Sequence, residues 1–131
     1  MIYISRAQPG LEEVELRQLF GEAEVLHRRL DLSGVLAYTG QHFVQAIEGP
    51  PGEVTHLLTL IQADQRHSGM RLFCDESPAH RQFGTWSWLC LDSPDVIAGA
   101  DVSLASPNAD CAEAKALVLQ VLEHAPPESR F

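Results

Sequence analysis

The sequence is poor in residues that mark several classes of protein. It has 3 cysteines in 131 residues, far apart and without the C-x-x-C spacing of a zinc site. This indicates reduced thiols in a cytosol rather than a disulfide framework. The sequence contains no run of about 18 apolar residues, so it predicts no transmembrane helix. The opening residues do not form a signal peptide. We therefore expect a cytoplasmic protein.

Positive charge is also scarce. Lys and Arg total 9 against 18 Asp and Glu, which gives a formal net charge of −9. Nucleic acids and anionic membranes need a basic surface, so we predict neither as a partner, whereas a basic protein is not excluded. The 6 histidines are scattered, and we predict no metal site. The length suffices for one domain with its own core.

Apolar periodicity predicts an alternation of strands and helices. We predict strands over residues 2–6, 32–38, 42–49, 70–75 and 86–91, and helices over 11–30, 54–64, 94–100 and 110–124. Two strand–helix–strand units joined by a hairpin make a ferredoxin-like sandwich. We therefore predict an α+β fold of βαββαββ order, with two helices on one face of a mixed five-stranded sheet. Short C-terminal helices follow, so the predicted units are residues 1–92 and a helical extension, 93–131.

Two polar residues fall within predicted strands. Gln45 lies between Phe43 and Ile47 and points to the same apolar face, because strand residues two apart share a face. A buried amide needs hydrogen-bond partners. It offers donors and an acceptor, so it can recognise the edge of a heteroaromatic ring. Tyr3 in the first strand has the same character. From the residues alone, the pair is either a ligand contact or a buried hydrogen bond.

Several short segments of the chain form an ordered set. They are Tyr3-Ile4-Ser5-Arg6, Leu32-Ser33-Gly34-Val35-Leu36, Phe43-Val44-Gln45-Ala46-Ile47-Glu48-Gly49, Asp64-Gln65-Arg66-His67, Arg81-Gln82-Phe83 and Trp86-Ser87-Trp88. In this order and spacing they resemble the BLUF domain, a family of blue-light sensors that use flavin. The resemblance covers about residues 1 to 92. No single segment is specific, so the evidence is the set.

The resemblance implies a cofactor and roles for individual residues. FAD would lie over the sheet, bound non-covalently between helices 11–30 and 54–64. Tyr3 would donate an electron and a proton to the excited flavin, and Gln45 would then rearrange its hydrogen bonds. The remaining implied contacts are His27 and Arg29 at the ring, and Arg66 and His67 at the ribityl and phosphate end. Without the resemblance, Arg66 and His67 would only be favourable charges at a helix end.

Three positions depart from the family pattern. His27 stands where the family has an asparagine, and it either donates one bond to a flavin carbonyl or fills the pocket. Asp31 stands where the family is apolar, and a carboxylate beside the flavin edge would be unfavourable. Trp88 replaces a methionine. It forms either a rigid aromatic pair with Trp86 or a photoactive site, as a competing electron donor to flavin.

The leading functional prediction is a blue-light photoreceptor, a hydrogen-bond switch rather than an enzyme. No effector domain follows in the sequence, so we expect the signal to reach a protein partner through the strand at 86–91 and the C-terminal helices. We also expect a homo-oligomer, formed through the sheet face that the first two helices leave free. One alternative is a BLUF-like fold that has lost flavin and serves as a protein-interaction module. Another is a pocket for a different flavin or a haem, with His27 as a contact.

Overall fold

Strands and helices follow one another in the predicted order in this computed structural model, which describes residues 1–75 and 80–125. The strands are β1 (Ile2–Ala7), β2 (Ser33–Tyr38), β3 (His42–Glu48), β4 (His67–Cys74) and β5 (Trp86–Cys90). The helices are α1 (Glu13–Arg29), α2 (Pro51–Ala63), α3 (Pro94–Ala105) and α4 (Cys111–Leu122). Among these residues, no helix has the length and apolar character needed to cross a membrane.

The sheet has the strand order β4-β1-β3-β2-β5. β5 runs parallel to β2, and the other neighbouring strands are antiparallel. This is the predicted mixed five-stranded ferredoxin-like sheet. The register places Tyr3 of β1 directly opposite Gln45 of the central strand, β3. The alternation in the sequence therefore brings both polar residues to one point on one face.

The first two helices cover that face, as predicted. α1 starts with a capping box, in which Glu12 and Glu15 satisfy each other's backbone amides. α2 starts at Pro51, earlier than predicted, because proline is well tolerated in the first helical turn. Phe20 from α1 and Leu57 from α2 are buried in the core between these helices and the sheet. The helices thus form a lid over the Tyr3 and Gln45 face.

The opposite sheet face is not free, so the expected route to oligomerisation through it is wrong. α3 and α4 pack against it and share one core with the strands. The reason lies in the strands themselves, since the residues that alternate with Tyr3 and Gln45 are also apolar. Ile4 and Val44 are completely buried there, beside Val96 of α3 and Val121 of α4. A sheet that is apolar on both faces needs a layer on each.

The cysteines also differ from the prediction of reduced thiols. Cys74, at the end of β4, forms a disulfide with Cys111, the first residue of α4, and their Cα atoms are 5.0 Å apart. The two positions are 37 residues apart in the sequence, and only the packing of α4 on the sheet brings them together. Cys90 on β5 is free and exposed.

Candidate functional site

A cavity of about 300 Å³ lies between α1, α2 and the sheet. Its walls are largely apolar, and this volume is at the lower end of the range for small-molecule sites. Apolar lining residues include Leu19, Leu26, Leu36, Leu57 and Ile61; polar ones include Tyr3, Glu22, His27, Gln45, Asp64, Arg66 and His67. The structure therefore brings together five of the residues predicted for the site: Tyr3, His27, Gln45, Arg66 and His67.

Tyr3 and Gln45 are hydrogen-bonded on the sheet side of this cavity. The Tyr3 hydroxyl donates to Oε1 of Gln45 at 2.6 Å, and both side chains are buried, at 4% and 2% exposure. Burial, with a smaller contribution from the charge of Asp64, raises the pKa of Tyr3. The phenol therefore stays protonated at neutral pH, and the amide oxygen is its acceptor.

His27 is the third member of the same hydrogen-bonded chain. Its Nδ1 lies 2.7 Å from the carbonyl oxygen of Ala23, and its Nε2 lies 3.3 Å from Nε2 of Gln45. A carbonyl can only accept, so Nδ1 carries the proton. Burial lowers the pKa of His27 to about 4, so the ring is neutral and Nε2 accepts from the amide of Gln45. These partners assign the tautomer.

The two tryptophans of β5 each pack on a side chain of α1, not on each other. Trp86 stacks on His27 with ring centroids 4.4 Å apart. Trp88 stacks on Phe20 with centroids 4.3 Å apart, is 43% exposed and does not line the cavity. The predicted rigid pair of tryptophans is therefore wrong. The residue next to the hydrogen-bonded chain is Trp86, not Trp88.

Arg66 lines the cavity but is held by carboxylates. Its guanidinium donates to both oxygens of Asp64, at 2.7 to 3.2 Å, and to Glu22 on α1 at 3.0 Å. The hydrogen bonds with Asp64 raise the pKa of Arg66, and Arg66 in turn lowers the pKa of Asp64 despite its partial burial. The three groups connect α1 to the end of α2. They place one positive and two negative charges at this side of the cavity.

The other predicted residues lie in three different settings. His67 lines the cavity, with Nδ1 2.7 Å from the Ser5 hydroxyl and Nε2 2.6 Å from the carbonyl of Ile61. Arg29 is exposed and does not line the cavity. The Asp31 side chain is 86% exposed and pairs with Arg81 at 3.2 Å, so the carboxylate predicted beside a flavin edge lies outside the cavity.

Two acidic residues of the site were missed by sequence reasoning. Asp64 belongs to a motif that was noted, but only Arg66 and His67 were given roles there. Glu22 lies on α1 in a helix rich in Glu and Arg, and nothing in its spacing separates it from its solvated neighbours. Only the packing of α1 beside the end of α2 brings Glu22 to Arg66.

Comparison with known proteins gives a family match over most of the chain. A family model described as "BLUF: Sensors of blue-light using FAD" matches residues 1–88. The blue light- and temperature-regulated antirepressor BluF of Escherichia coli (strain K12) is 32% identical over 85 residues, which are 64% of this chain and 21% of that protein. The photoactivated adenylate cyclase subunit beta of Euglena longa is 31% identical over 68 residues, 52% of this chain and 8% of that protein.

Solved structures show the same fold. The dark-state structure of BlrB, described as a BLUF protein, aligns with a TM-score of 0.70 and 31% identity, and covers 91% of this chain and 93% of that chain. The photo-activated state of BlsA aligns with a TM-score of 0.72 at 21% identity, over 92% of this chain and 91% of that one, which shows likeness of fold alone. The curated relatives are much longer, since this chain spans 21% of the antirepressor and 8% of the cyclase subunit.

Proposed function

Because this chain belongs to the BLUF family, sensors of blue light using FAD, we propose that its flavin ring lies in the cavity between α1 and α2 and that Tyr3 and Gln45 form the light-driven switch. The observation that supports this most directly is the 2.6 Å hydrogen bond from the Tyr3 hydroxyl to Oε1 of Gln45 in that cavity. A flavin ring is flat and largely apolar with polar edges, which suits leucine walls and one amide.

The residues present fit the ring. Bound flavin supplies blue-light absorption and, once excited, an acceptor for an electron from Tyr3. The Tyr3 hydroxyl already points its proton at Gln45. The amide nitrogen of Gln45 has two hydrogens, and His27 accepts only one, so one is left for a ligand. Because the two ends of an amide differ as donor and acceptor, reversing Gln45 changes the bonds offered to everything around it.

The proposed flavin contacts include fewer residues than the sequence analysis predicted. Arg66 and His67 face the cavity and are the candidates for the ribityl and phosphate end. Arg66 is already paired with Asp64 and Glu22, so its charge is largely balanced. Arg29 is exposed outside the cavity lining, and we leave it out of the proposed site. Trp88 stacks on Phe20 and does not line the cavity, and its role as a competing electron donor stays a prediction.

The proposed route of the signal runs along β3 to β5. Glu48, at the end of the strand that contains Gln45, accepts hydrogen bonds from the backbone amides of Gln82 and Phe83 at 2.7 and 2.6 Å. These residues precede β5, which also contacts α1 through Trp86 and His27. A change at Gln45 can thus reach an edge strand. Among the described residues, β5 pairs only with β2 in the sheet. Its other edge is therefore open to a partner protein.

We propose that this domain signals to a protein partner and does not itself catalyse turnover. Of the relatives, one is named as an antirepressor and another as a subunit of a photoactivated adenylate cyclase, and this chain matches only 21% and 8% of their lengths. The homo-oligomer, the cytoplasmic location and the boundary at residue 92 stay predictions. The interaction-module alternative without flavin is not favoured, because the family model that matches residues 1–88 describes sensors that use FAD, and the cavity between α1 and α2 is present.

An absorption spectrum tests the proposal. We expect purified protein with FAD to show a flavin spectrum that shifts to the red under blue light and recovers in the dark. Tyr3→Phe keeps the ring and removes the hydroxyl, so it should bind flavin without the shift. Tyr38→Phe is the matched control, because within residues 1–75 and 80–125 the hydroxyl of Tyr38 bonds only to the backbone carbonyl of Gly40, at 3.4 Å. A full shift in Tyr3→Phe would contradict the proposal.

A further inference from the structure

His27 fixes which way the amide of Gln45 points. The carbonyl of Ala23 requires a proton on Nδ1 of His27, which leaves Nε2 with a lone pair toward Gln45. The amide must therefore present its N–H to His27 and its oxygen to Tyr3. Each contact in this chain then joins one donor to one acceptor, from the Tyr3 hydroxyl to the Ala23 carbonyl. The orientation of Gln45 follows from the bonding, independent of any bound ligand.

Reversal of the amide breaks this arrangement at His27. The amide oxygen would then face the lone pair on Nε2, and two acceptors would meet in a buried site where unpaired polar atoms are costly. The imidazole cannot supply the missing hydrogen by changing tautomer, because the Ala23 carbonyl would then face a bare Nδ1. A proton added at Nε2 satisfies both contacts at once, since an imidazolium is a donor at both nitrogens.

We propose that reversal of the Gln45 amide in this protein is coupled to the uptake of one proton from solvent by Nε2 of His27. This rests on the proposed switch at Tyr3 and Gln45 and adds a proton acceptor to it. The step forms one N–H bond on His27, takes the proton from water or buffer, and needs no oxidant or reductant. The lit protein then carries one more positive charge in its core than the dark protein.

The surroundings of His27 suit a ring that is neutral in the dark and charged in the light. From β5, Trp86 stacks on the imidazole at 4.4 Å, and an aromatic face favours a cation. From β3 and β1, Gln45 and Tyr3 are uncharged. The charged or titratable groups on the same cavity are Glu22, Asp64, Arg66 and His67. Burial is the main cause of the lowered pKa of His27, and the hydrogen bond to the Ala23 carbonyl partly opposes it.

The dependence on pH follows with a definite sign. Because the lit state binds one more proton, lowering the pH stabilises it relative to the dark state, and thermal recovery slows. One proton gives a change of at most about tenfold per pH unit. His27→Asn should abolish this dependence, because an amide can turn either end toward Gln45 without a proton. His56→Asn, an exposed change on α2, is the matched control and should keep it.

The first experiment measures the lifetime of the lit state between pH 5 and pH 8, with proton uptake followed by an indicator dye in weak buffer. We expect recovery to slow severalfold toward pH 5, and up to about one proton taken up per switched molecule as the pH falls. In His27→Asn, the molecules that still switch should recover at a rate independent of pH and take up no proton, whereas His56→Asn should keep both effects. A protein that switches with a lifetime independent of pH and no proton uptake would overturn the inference.

A second experiment uses no light. Gln45→Glu presents an oxygen to His27 as well as to Tyr3, so it offers His27 the acceptor of the reversed amide together with a negative charge, and both favour the imidazolium. Nitrogen NMR of the His27 ring should show Nδ1–H with a bare Nε2 in the unchanged protein, and a raised His27 pKa in Gln45→Glu. If Gln45→Glu does not fold, Gln45→Leu replaces it in this experiment. Leucine removes the amide donor and offers no acceptor, so the pKa of His27 should not rise as it does beside an oxygen.

The two proposals can therefore fail separately. No light-induced shift in protein that has bound FAD would refute the proposed switch, and the dark titration still decides the role of His27. A ring found as Nε2–H in the dark, or a His27 pKa that does not rise in Gln45→Glu, would refute the proton coupling even in a working photoreceptor.

Discussion

Trp86 of β5 stacks on His27 of α1, with their ring centroids 4.4 Å apart and their planes inclined by 26°. This contact joins the edge strand to the hydrogen-bonded chain of Tyr3, Gln45 and His27. The indole Nε1 of Trp86 is buried and has no hydrogen-bond partner among the described residues. The stack is therefore both a mechanical connection from the site to β5 and a place where the fold tolerates an unpaired donor.

Trp86→Phe should keep the aromatic contact and remove the unpaired donor. Because a buried unsatisfied N–H costs about 1–3 kcal/mol, its loss should offset the smaller ring, and we expect a stability within about 1 kcal/mol of the original. Urea denaturation measures this. Trp88→Phe is the comparison, since Trp88 is also stacked but is exposed to water. A loss of several kcal/mol in Trp86→Phe alone would show that Nε1 is bonded in solution.

Acid should destabilise the protein through His27. Its pKa falls from an ordinary 6.5 to about 4 in the folded state, so between these values the unfolded chain binds more protons. Stability is therefore fully present above pH 6.5 and is lost as the pH falls toward 4, by at most about 1.4 kcal/mol per pH unit. Urea denaturation at several pH values gives the free energy of unfolding as a function of pH, and this free energy should fall less steeply with acid in His27→Asn. Equal slopes in the two proteins would contradict the buried neutral ring.

The disulfide should contribute a large share of the stability. Cys74 and Cys111 are 37 residues apart, and closing a loop of this length in the unfolded chain is worth about 4 kcal/mol by the chain-entropy argument. The double change Cys74→Ser and Cys111→Ser should lower the denaturation midpoint, and a reductant should do the same to the original protein. Cys90→Ser is the control, because Cys90 is free and exposed. Equal midpoints with and without reductant would argue against the bond.

The carboxylates around Arg66 should decide how well the site accepts a phosphate. Glu22 and Asp64 occupy the guanidinium and add negative charge near it. Glu22→Gln should therefore raise the affinity for FAD several-fold and leave that for riboflavin, which lacks phosphate, nearly unchanged. Flavin fluorescence titration measures both. Glu24, on the same helix, pairs with Arg28 outside the cavity. Glu24→Gln is therefore the control and should change neither the affinity for FAD nor that for riboflavin. An equal gain for both flavins in Glu22→Gln would remove the electrostatic explanation.

Much of the site follows from local patterns. The alternation around Gln45 predicts a strand with that amide on an apolar face, and the register of β1 and β3 then places it opposite Tyr3. The helical repeat before residue 30 predicts the α1 lid. These predictions are confirmed because strand and helix periods are properties of neighbouring residues. Tyr3 and Gln45 could therefore be named as candidates before any contact was known, whereas His27 was named from the family resemblance.

Other features were missed because they depend on residues far apart in the sequence. The second face of the sheet was taken as free, since nothing local shows that α3 and α4 fold back onto it. The prediction of reduced thiols failed for the same reason. The stacking partners of the two tryptophans were missed as well, since Trp88 lies over Phe20 and Trp86 over His27, both on α1.

The sequence by itself determined the order of strands and helices, the family, and the residue types at the Tyr3, His27 and Gln45 positions. The tertiary structure decided what each of them bonds to. Whether His27 accepts or donates depends on the Ala23 carbonyl at one nitrogen and the Gln45 amide at the other. Whether Arg66 is free for a phosphate depends on Glu22, which reaches it from another helix. Periodicity is local, but hydrogen-bond partners are set by packing, and packing joins distant parts of the chain.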